Sequence, residues 1–236
     1  IEEALINGEI DFAVHSMKDM PDKIPDGLVF ARAWERADAR DVMIYKNVGK
    51  FEELPKGAKI GTGSIRRKVQ LLAMREDLEI VPIRGNVDSR IKKLEDLDGI
   101  VLAAAGIKRI GRETEISEYL SPKDFVPAPA QGILAVELRE DKSELLEKIN
   151  SFSDPRTEKQ LEFERGFMKA VGGDCRKPTG AYLEEDGAQT KVYVIFGDED
   201  GSNIVRTSLS FSTSASVEEI IQKTLYDIKI SKLRQL

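Results

Sequence analysis

Lys59 to Arg90 reads KIGTGSIRRKVQLLAMREDLEIVPIRGNVDSR. A short strand, Lys59 to Gly61, stops at a Gly/hydroxyl turn, and apolar residues at helical spacing then run from Ile65 to Arg75. A second strand, Glu79 to Ile83, ends at another turn, RGNVDSR, which opens a helix reaching about Leu97. Gly99 to Ala105 follows as a buried-type strand, and Val42 to Tyr45 is a further apolar run. Strand and helix alternating in this way predict an α/β unit, with a largely parallel sheet and helices on both faces.

The pattern changes on either side. Ile1, Ala4 and Leu5 are apolar at helical spacing, and Asn7-Gly8 can cap that helix. No N-cap or initiator Met precedes them, so upstream sequence is expected. Ile10 to Val14 and Leu28 to Ala33 read as strands. After a Pro-rich link, VPAPAQG (Val126 to Gly132), Ile133 to Leu138 alternates as a strand that could return to this first block. Ser143 to Ile149 is helical. From about Asp154 a helix (Thr157 to Ala170), a Gly-rich loop and strands at 180–184, 190–196 and 203–212 follow. EEDG and DEDG turns separate the strands, and a helix over Val217 to Ile230 closes the chain, which predicts a small α+β domain. The expected division is domain 1 at 1–34 and 133–152, domain 2 at 38–127, and domain 3 at 155–236.

Composition narrows the function. The longest apolar stretch, Ile100 to Ala105, is too short for a helical membrane span, and no signal-peptide pattern is visible. One cysteine argues against a disulfide framework and fits a reducing, cytoplasmic compartment. With one histidine besides, no protein-only metal site is expected. The net charge of −6 argues against general nucleic-acid binding. Yet Lys59 to Arg112 holds 12 Lys+Arg against 7 Asp+Glu, a basic middle in an acidic chain. It marks either solvated helix faces or a site for an anionic small molecule.

Four stretches carry chemistry. AVHSMKDMP (Ala13 to Pro21) is a strand end followed by a polar cluster and proline turns, the place where open sheets display reactive groups. His15, Lys18 and Asp19 are its acid–base candidates, with Asp19 leading; the alternatives are a structural histidine and a turn cap. Read as extended chain, Ser16 and Lys18 share one face, Met17 and Asp19 the other. In GTGSIRR (Gly61 to Arg67), Arg66 and Arg67 occupy the first helical turn, where the dipole disfavours cations. Either they are surface arginines or an anion sits with them. Arg84 and Arg90 in RGNVDSR and Arg109 in AGIKR place arginine at the next strand ends; in a parallel sheet these share one edge. Cys175 lies in GGDCRKPTG, as a buried inert thiol or as one activated by Arg176 and Lys177 against the opposing Asp174.

In order, AVHSMKDMP, ERADARD, GTGSIRR, IRGNVDSR, AAAGIKRIG, PAPAQG and GGDCRKPTG resemble the hydroxymethylbilane synthase (porphobilinogen deaminase) family over essentially the whole chain. The resemblance implies two periplasmic-binding-protein-like α/β domains, the first truncated, plus the C-terminal α+β domain with an antiparallel sheet. It implies a transferase that joins four porphobilinogen molecules head to tail with loss of ammonia, then releases hydroxymethylbilane by hydrolysis. A dipyrromethane cofactor on Cys175 is the implied primer. Asp19 and Lys18 match catalytic positions. Ser16, Lys18, Thr62, Ser64, Arg66, Arg67, Arg84 and Arg90 match cofactor-binding positions, and Arg109 and Gln131, with Arg84 and Arg90, substrate-binding ones. His15 drops to a structural role. Porphobilinogen and its oligopyrrole intermediates are the implied partners, with no nucleic acid or membrane and a monomeric state. The links near Ala33–Ala37 and Ala128–Gly132 are the expected hinges. Gly63 departs from the commoner serine, and Asp174-Cys175-Arg176 from Gly-Cys-Gln. The family's opening R-x-S-x-L-A-type motif and GKGLF-like stretch do not occur, so an inactive truncated synthase is one alternative. The others are a non-catalytic anion-binding protein and a cysteine-nucleophile hydrolase.

Overall fold

The computed structural model describes residues 1–21, 23–173, 177–187 and 189–233. The α/β class with a C-terminal antiparallel α+β unit is what it shows, in three separate sheets.

The first sheet joins β1 (Phe12–Ser16) and β2 (Leu28–Phe30) through β8 (Leu134–Arg139), which runs antiparallel to both. The late strand thus sits at the centre of the early one's sheet. Helix α1 (Glu2–Ile6) covers one face through Leu5, packed on Ala13 and Leu28. Helix α5 (Ser143–Asn150) covers the other, with Ile149 against Val136 and Leu138.

The second sheet is ordered β5-β4-β6-β3-β7. Its strands are β3 (Asp41–Tyr45), β4 (Lys59–Gly61), β5 (Glu79–Val81), β6 (Gly99–Ala103) and β7 (Glu118–Tyr119). Helices α2 (Ile65–Met74), α3 (Val87–Lys92) and α4 (Ala104–Arg109) pack on its two faces: Leu71 of α2 joins one core, Ile91 and Ile107 the other. Strands β4, β5 and β6 are parallel, so their C-terminal ends share one edge. The largely parallel expectation needs one correction. β3 runs against β6 with Asp41 opposite Ala103, and it also runs against β7. The link from the first sheet enters at the edge where the parallel strands end, so β3 must start there, and Asp41 is delivered to that edge. Helix α3 is also shorter than expected and closes in a 3-10 turn at Lys93–Asp96.

The third unit is a meander of β9 (Gly180–Asp186), β10 (Gln189–Phe196) and β11 (Val205–Ser212). Helices α6 (Pro155–Ala170) and α7 (Val217–Leu233) meet it through a core of Phe163, Phe167, Leu183, Val192, Val194 and Ile220. Asp154 caps α6 by accepting from the Thr157 N–H at 2.9 Å, and Pro155 follows it at the first helical position. Among the described residues no helix is long and apolar enough to cross a membrane.

The two links between the first and second units touch one another. Ala37 N–H donates to Gly132 O at 3.0 Å, and Gly132 has φ +87°. A side chain there would stand 2.7 Å from Ala37 O, so only glycine lets the links cross. Glu164 of α6 grips both. It accepts Arg36 Nη1 at 2.6 Å, Arg36 Nη2 at 2.9 Å and Ala130 N–H at 2.6 Å, and also Leu183 N–H of β9 at 3.2 Å. This buried carboxylate ties all three units together.

Candidate active site

β1 ends at Ser16, and the chain turns through a 3-10 segment, Met17–Asp19. Met17 is buried against Ala33, Ala130, Ile133 and Ala135, and its N–H donates to Ile133 O at 2.9 Å. With Met17 fixed inward, the roughly 120° step of a 3-10 turn carries Lys18 and Asp19 to the same side. The extended-chain reading, which put Lys18 and Asp19 on opposite faces, is therefore corrected: both border the same cavities.

Facing them is the common edge of β4, β5 and β6. The space between is a cavity of about 770 Å³, bounded by Lys18, Asp19, Ser64, Arg66, Arg67, Arg84, Arg90 and Gln131. Met168, Gly173, Lys177 and Thr179 close it from the C-terminal unit. A smaller cavity of about 250 Å³ extends toward α4, where Ser16, Asn86 and Arg109 line it. Lys18, Asp19, Arg67, Arg90 and Gln131 border both cavities, so Asp19 stands at their junction. The sequence-predicted residues Ser16, Ser64, Arg84, Arg90, Arg109 and Gln131 are thereby brought together around it. Thr62 is not. It is buried, and its Oγ1 accepts the Ser64 N–H at 3.2 Å, so it shapes the turn rather than facing the cavity.

The anion that Arg66 and Arg67 require is internal. Asp41, fully buried at the start of β3, accepts Arg67 Nη2 at 2.6 Å and Arg67 Nε at 3.0 Å through Oδ1; its Oδ2 pairs with Arg66 Nη1 at 2.8 Å. Burial alone would raise the Asp41 pKa, but the two guanidiniums overturn that and hold it below the usual carboxylate range. Gln131 extends the network. Its Nε2 donates to Asp41 Oδ1 at 3.0 Å and to Ala39 O at 2.8 Å, which leaves Oε1 to accept Lys18 Nζ at 3.3 Å. Burial, with Arg67 next, lowers the Lys18 pKa to about 8.

The remaining groups are free to bind. Asp19 is exposed to the cavities and makes no hydrogen bond among the described residues, although its charge acts on both Lys18 and Arg90. Arg84 and Arg109 are exposed and have no ion-pair partner among the described residues. Among the described residues Arg90 spends only Nε, on Gly85 O at 2.7 Å. An isolated carboxylate ringed by cations without acidic partners can take a poly-carboxylate ligand that develops positive charge beside Asp19.

Comparison with known proteins shows the family. Residues 1–147 match the family profile described as porphobilinogen deaminase, dipyromethane cofactor binding domain. The porphobilinogen deaminase of Lachnospira eligens is 52% identical over 222 residues, covering 92% of this chain and 75% of that one. That of Clostridium novyi is 48% identical over 215 residues, covering 89% and 72%. This chain belongs to the porphobilinogen deaminase family. Among solved structures, a periplasmic substrate-binding protein of an ABC transporter from Coxiella burnetii is similar with a TM-score of 0.42 and 17% identity, over 70% of this chain and 80% of that one. A likeness that loose adds nothing to the assignment.

Within the porphobilinogen deaminase frame, Cys175, Asp174 and Arg176 lie outside the described residues. Gly173 and Lys177, on either side of them, both line the larger cavity. Gly63 has a local reason: a Cβ there would stand 2.7 Å from Ile83 O, so serine would displace this backbone. His15 pairs with the buried Glu137 at 2.9 Å across β1 and β8, away from the cavity lining. Sequence reasoning missed Asp41 and Met168, and took Lys177 only as a neighbour of Cys175. Asp41 had one signal, its place at the end of ERADARD, directly before the apolar run Val42 to Tyr45.

Proposed function

We propose that this chain acts as a hydroxymethylbilane synthase, condensing four porphobilinogen molecules head to tail with loss of ammonia and releasing hydroxymethylbilane by hydrolysis. The observation that carries the reading is Asp19, an exposed carboxylate at the junction of two cation-walled cavities. A plain anion-binding protein does not account for it, because Asp19 would repel the ligand.

The residues fit a dipyrromethane held at Cys175. The larger cavity has about three times the volume of the smaller, carries unpaired Arg84, and is lined by both described neighbours of the Cys175 segment. When bound, the dipyrromethane supplies the primer that porphobilinogen extends. Arg84, Arg90 and Lys18, with the Ser64 hydroxyl, would hold acetate and propionate groups there, Ser16 would meet them from the smaller cavity, and Arg66 and Arg67 contribute chiefly their field. Arg109, with Arg90 and Gln131, orients an incoming porphobilinogen in the smaller cavity. Asp19 stabilises the positive charge left on the substrate as its C–N bond breaks and ammonia departs, then accepts the proton lost from carbon. Lys18, poised to share its proton near neutral pH, serves the same exchange. We assign the domains as 1–34 with 133–152, 38–127, and 155–236. The reading includes a cytoplasmic monomer, since one chain supplies every group named and carries a single cysteine.

Turnover of porphobilinogen, followed by released ammonia and by tetrapyrrole absorption after oxidation, tests this. Arg109→Leu raises KM about tenfold with kcat within about threefold, as loss of one charge-assisted contact predicts. Arg84→Leu instead lowers the fraction of protein carrying the cofactor, read by intact mass. Cofactor-loaded protein that releases no ammonia from porphobilinogen overturns the reading.

A further inference from the structure

Asp41 has no place in the chemistry assigned above, yet among the described residues it is the one fully buried carboxylate at the site, and both guanidiniums of α2 lead back to it. Two guanidiniums and one amide converge on its oxygens, at 2.6, 2.8 and 3.0 Å. The amide is the informative partner. Gln131 has no exposed surface, and because its Nε2 is committed to Asp41 Oδ1 and Ala39 O, only its oxygen can face Lys18. A flipped amide would set an N–H against the ammonium. The charge of Asp41 therefore fixes the dipole that receives Lys18, and the same charge fixes the forks of Arg66 and Arg67.

We propose that Asp41 is a positioning residue: through Arg66, Arg67 and the Gln131 amide, its carboxylate orients the cations behind Asp19 and keeps Lys18 able to carry its proton. The inference rests on the reading of this cavity as the active site. Arg66, Arg67 and Lys18 share this buried negative charge, so removing it leaves Lys18 facing Arg66 and Arg67 from α2 with Asp19 alone acting in its favour. Asp19 on its own turn is then the nearest remaining anion, and Arg90 borders the same space. The ammonium of Lys18 already sits in surroundings that disfavour it, and the Asp41 charge acts in its favour. Loss of that charge makes Lys18 give up its proton at lower pH, whereas a carboxylate that merely packed the core would leave Lys18 unmoved.

The test is competitive acylation of amines in the purified cofactor-bearing protein across pH, with labelling read at the Lys18 peptide by mass spectrometry. The Lys18 midpoint of the parent protein is the reference. In Asp41→Asn the midpoint falls by about one unit, so labelling at about pH 7 rises several-fold, and Asp41→Glu restores most of the parent profile. A folded Asp41→Asn protein whose Lys18 labels as the parent does overturns the proposal. Where Asp41→Asn does not fold, Gln131→Met cuts the bridge but spares the arginine pairs. The midpoint again falls, and an unchanged midpoint overturns the proposal. Failure of the active-site reading has a different signature: porphobilinogen turnover survives Asp19→Asn while the Lys18 shift persists.

Discussion

Asp19→Asn lowers the rate of tetrapyrrole formation by about 10²–10⁴-fold and leaves the melting temperature within a few degrees of the parent, by roughly the weight of one acid–base group. Both halves follow from the same placement. Asp19 is exposed at the junction of the cavities and has no hydrogen-bond partner among the described residues, so an isosteric amide removes no packing and orphans no buried donor. What it removes is the only free carboxylate bordering both cavities among the described residues. An amide can neither neutralise a cationic pyrrole nor take its proton. Steady-state turnover and thermal unfolding on one preparation check the pair, and turnover retained in Asp19→Asn removes Asp19 from the mechanism.

The largest effect on stability is expected at Glu164. Glu164→Ala strands Arg36, whose side chain is 7% exposed, without its counter-ion. Breaking a buried pair from one side costs about 3–5 kcal/mol, which in a chain of this size is roughly a 10 °C loss in melting temperature. The loss spreads beyond one pair. Ala130 holds φ +61°, which L-residues avoid, and its N–H is fixed by Glu164 Oε2 at 2.6 Å. Arg36 Nε in turn donates to Gln131 O at 2.9 Å. Freeing Glu164 therefore loosens both links and the Gln131 amide together. The double change Arg36→Met, Glu164→Gln loses less than Glu164→Ala, because no charge is left buried and the amide oxygen still accepts a backbone N–H from Ala130 or Leu183. A single variant that melts within about 2 °C of the parent contradicts this role.

How much of this was legible in the sequence depends on the range of the interaction. GTGSIRR and RGNVDSR announced strand, turn and helix, because glycine, hydroxyl caps and helical apolar spacing are local signals. RGNVDSR also placed Arg84 just past a strand end on the shared edge, whereas Arg109, read from AGIKR as a strand-end turn, closes helix α4 instead. The turn at Lys18 and Asp19 was misread because its geometry comes from the burial of Met17 against residues more than a hundred positions away in sequence, Ala130, Ile133 and Ala135. Asp41 merely precedes the apolar run Val42 to Tyr45 in sequence. Nothing local reveals that β3 enters against its neighbours and carries Asp41 to Arg66, Arg67 and Gln131. Glu164 sits in a helix rich in charge, FERGFMK, where a buried hub and a solvated carboxylate look alike. The resemblance supplied Cys175 as the cofactor position, a role that composition and spacing left open.

Growth of a pyrrole chain on the protein itself is the central claim, and intact-mass measurement during reaction with limiting porphobilinogen tests it most directly. The account predicts a starting mass above that of the bare chain, with the excess on the Cys175 peptide. It then predicts a ladder of species, each heavier by one porphobilinogen less ammonia, that returns to the starting mass on hydrolysis. A chain that stays at its unmodified mass, with a free Cys175 thiol while tetrapyrrole accumulates, would contradict it.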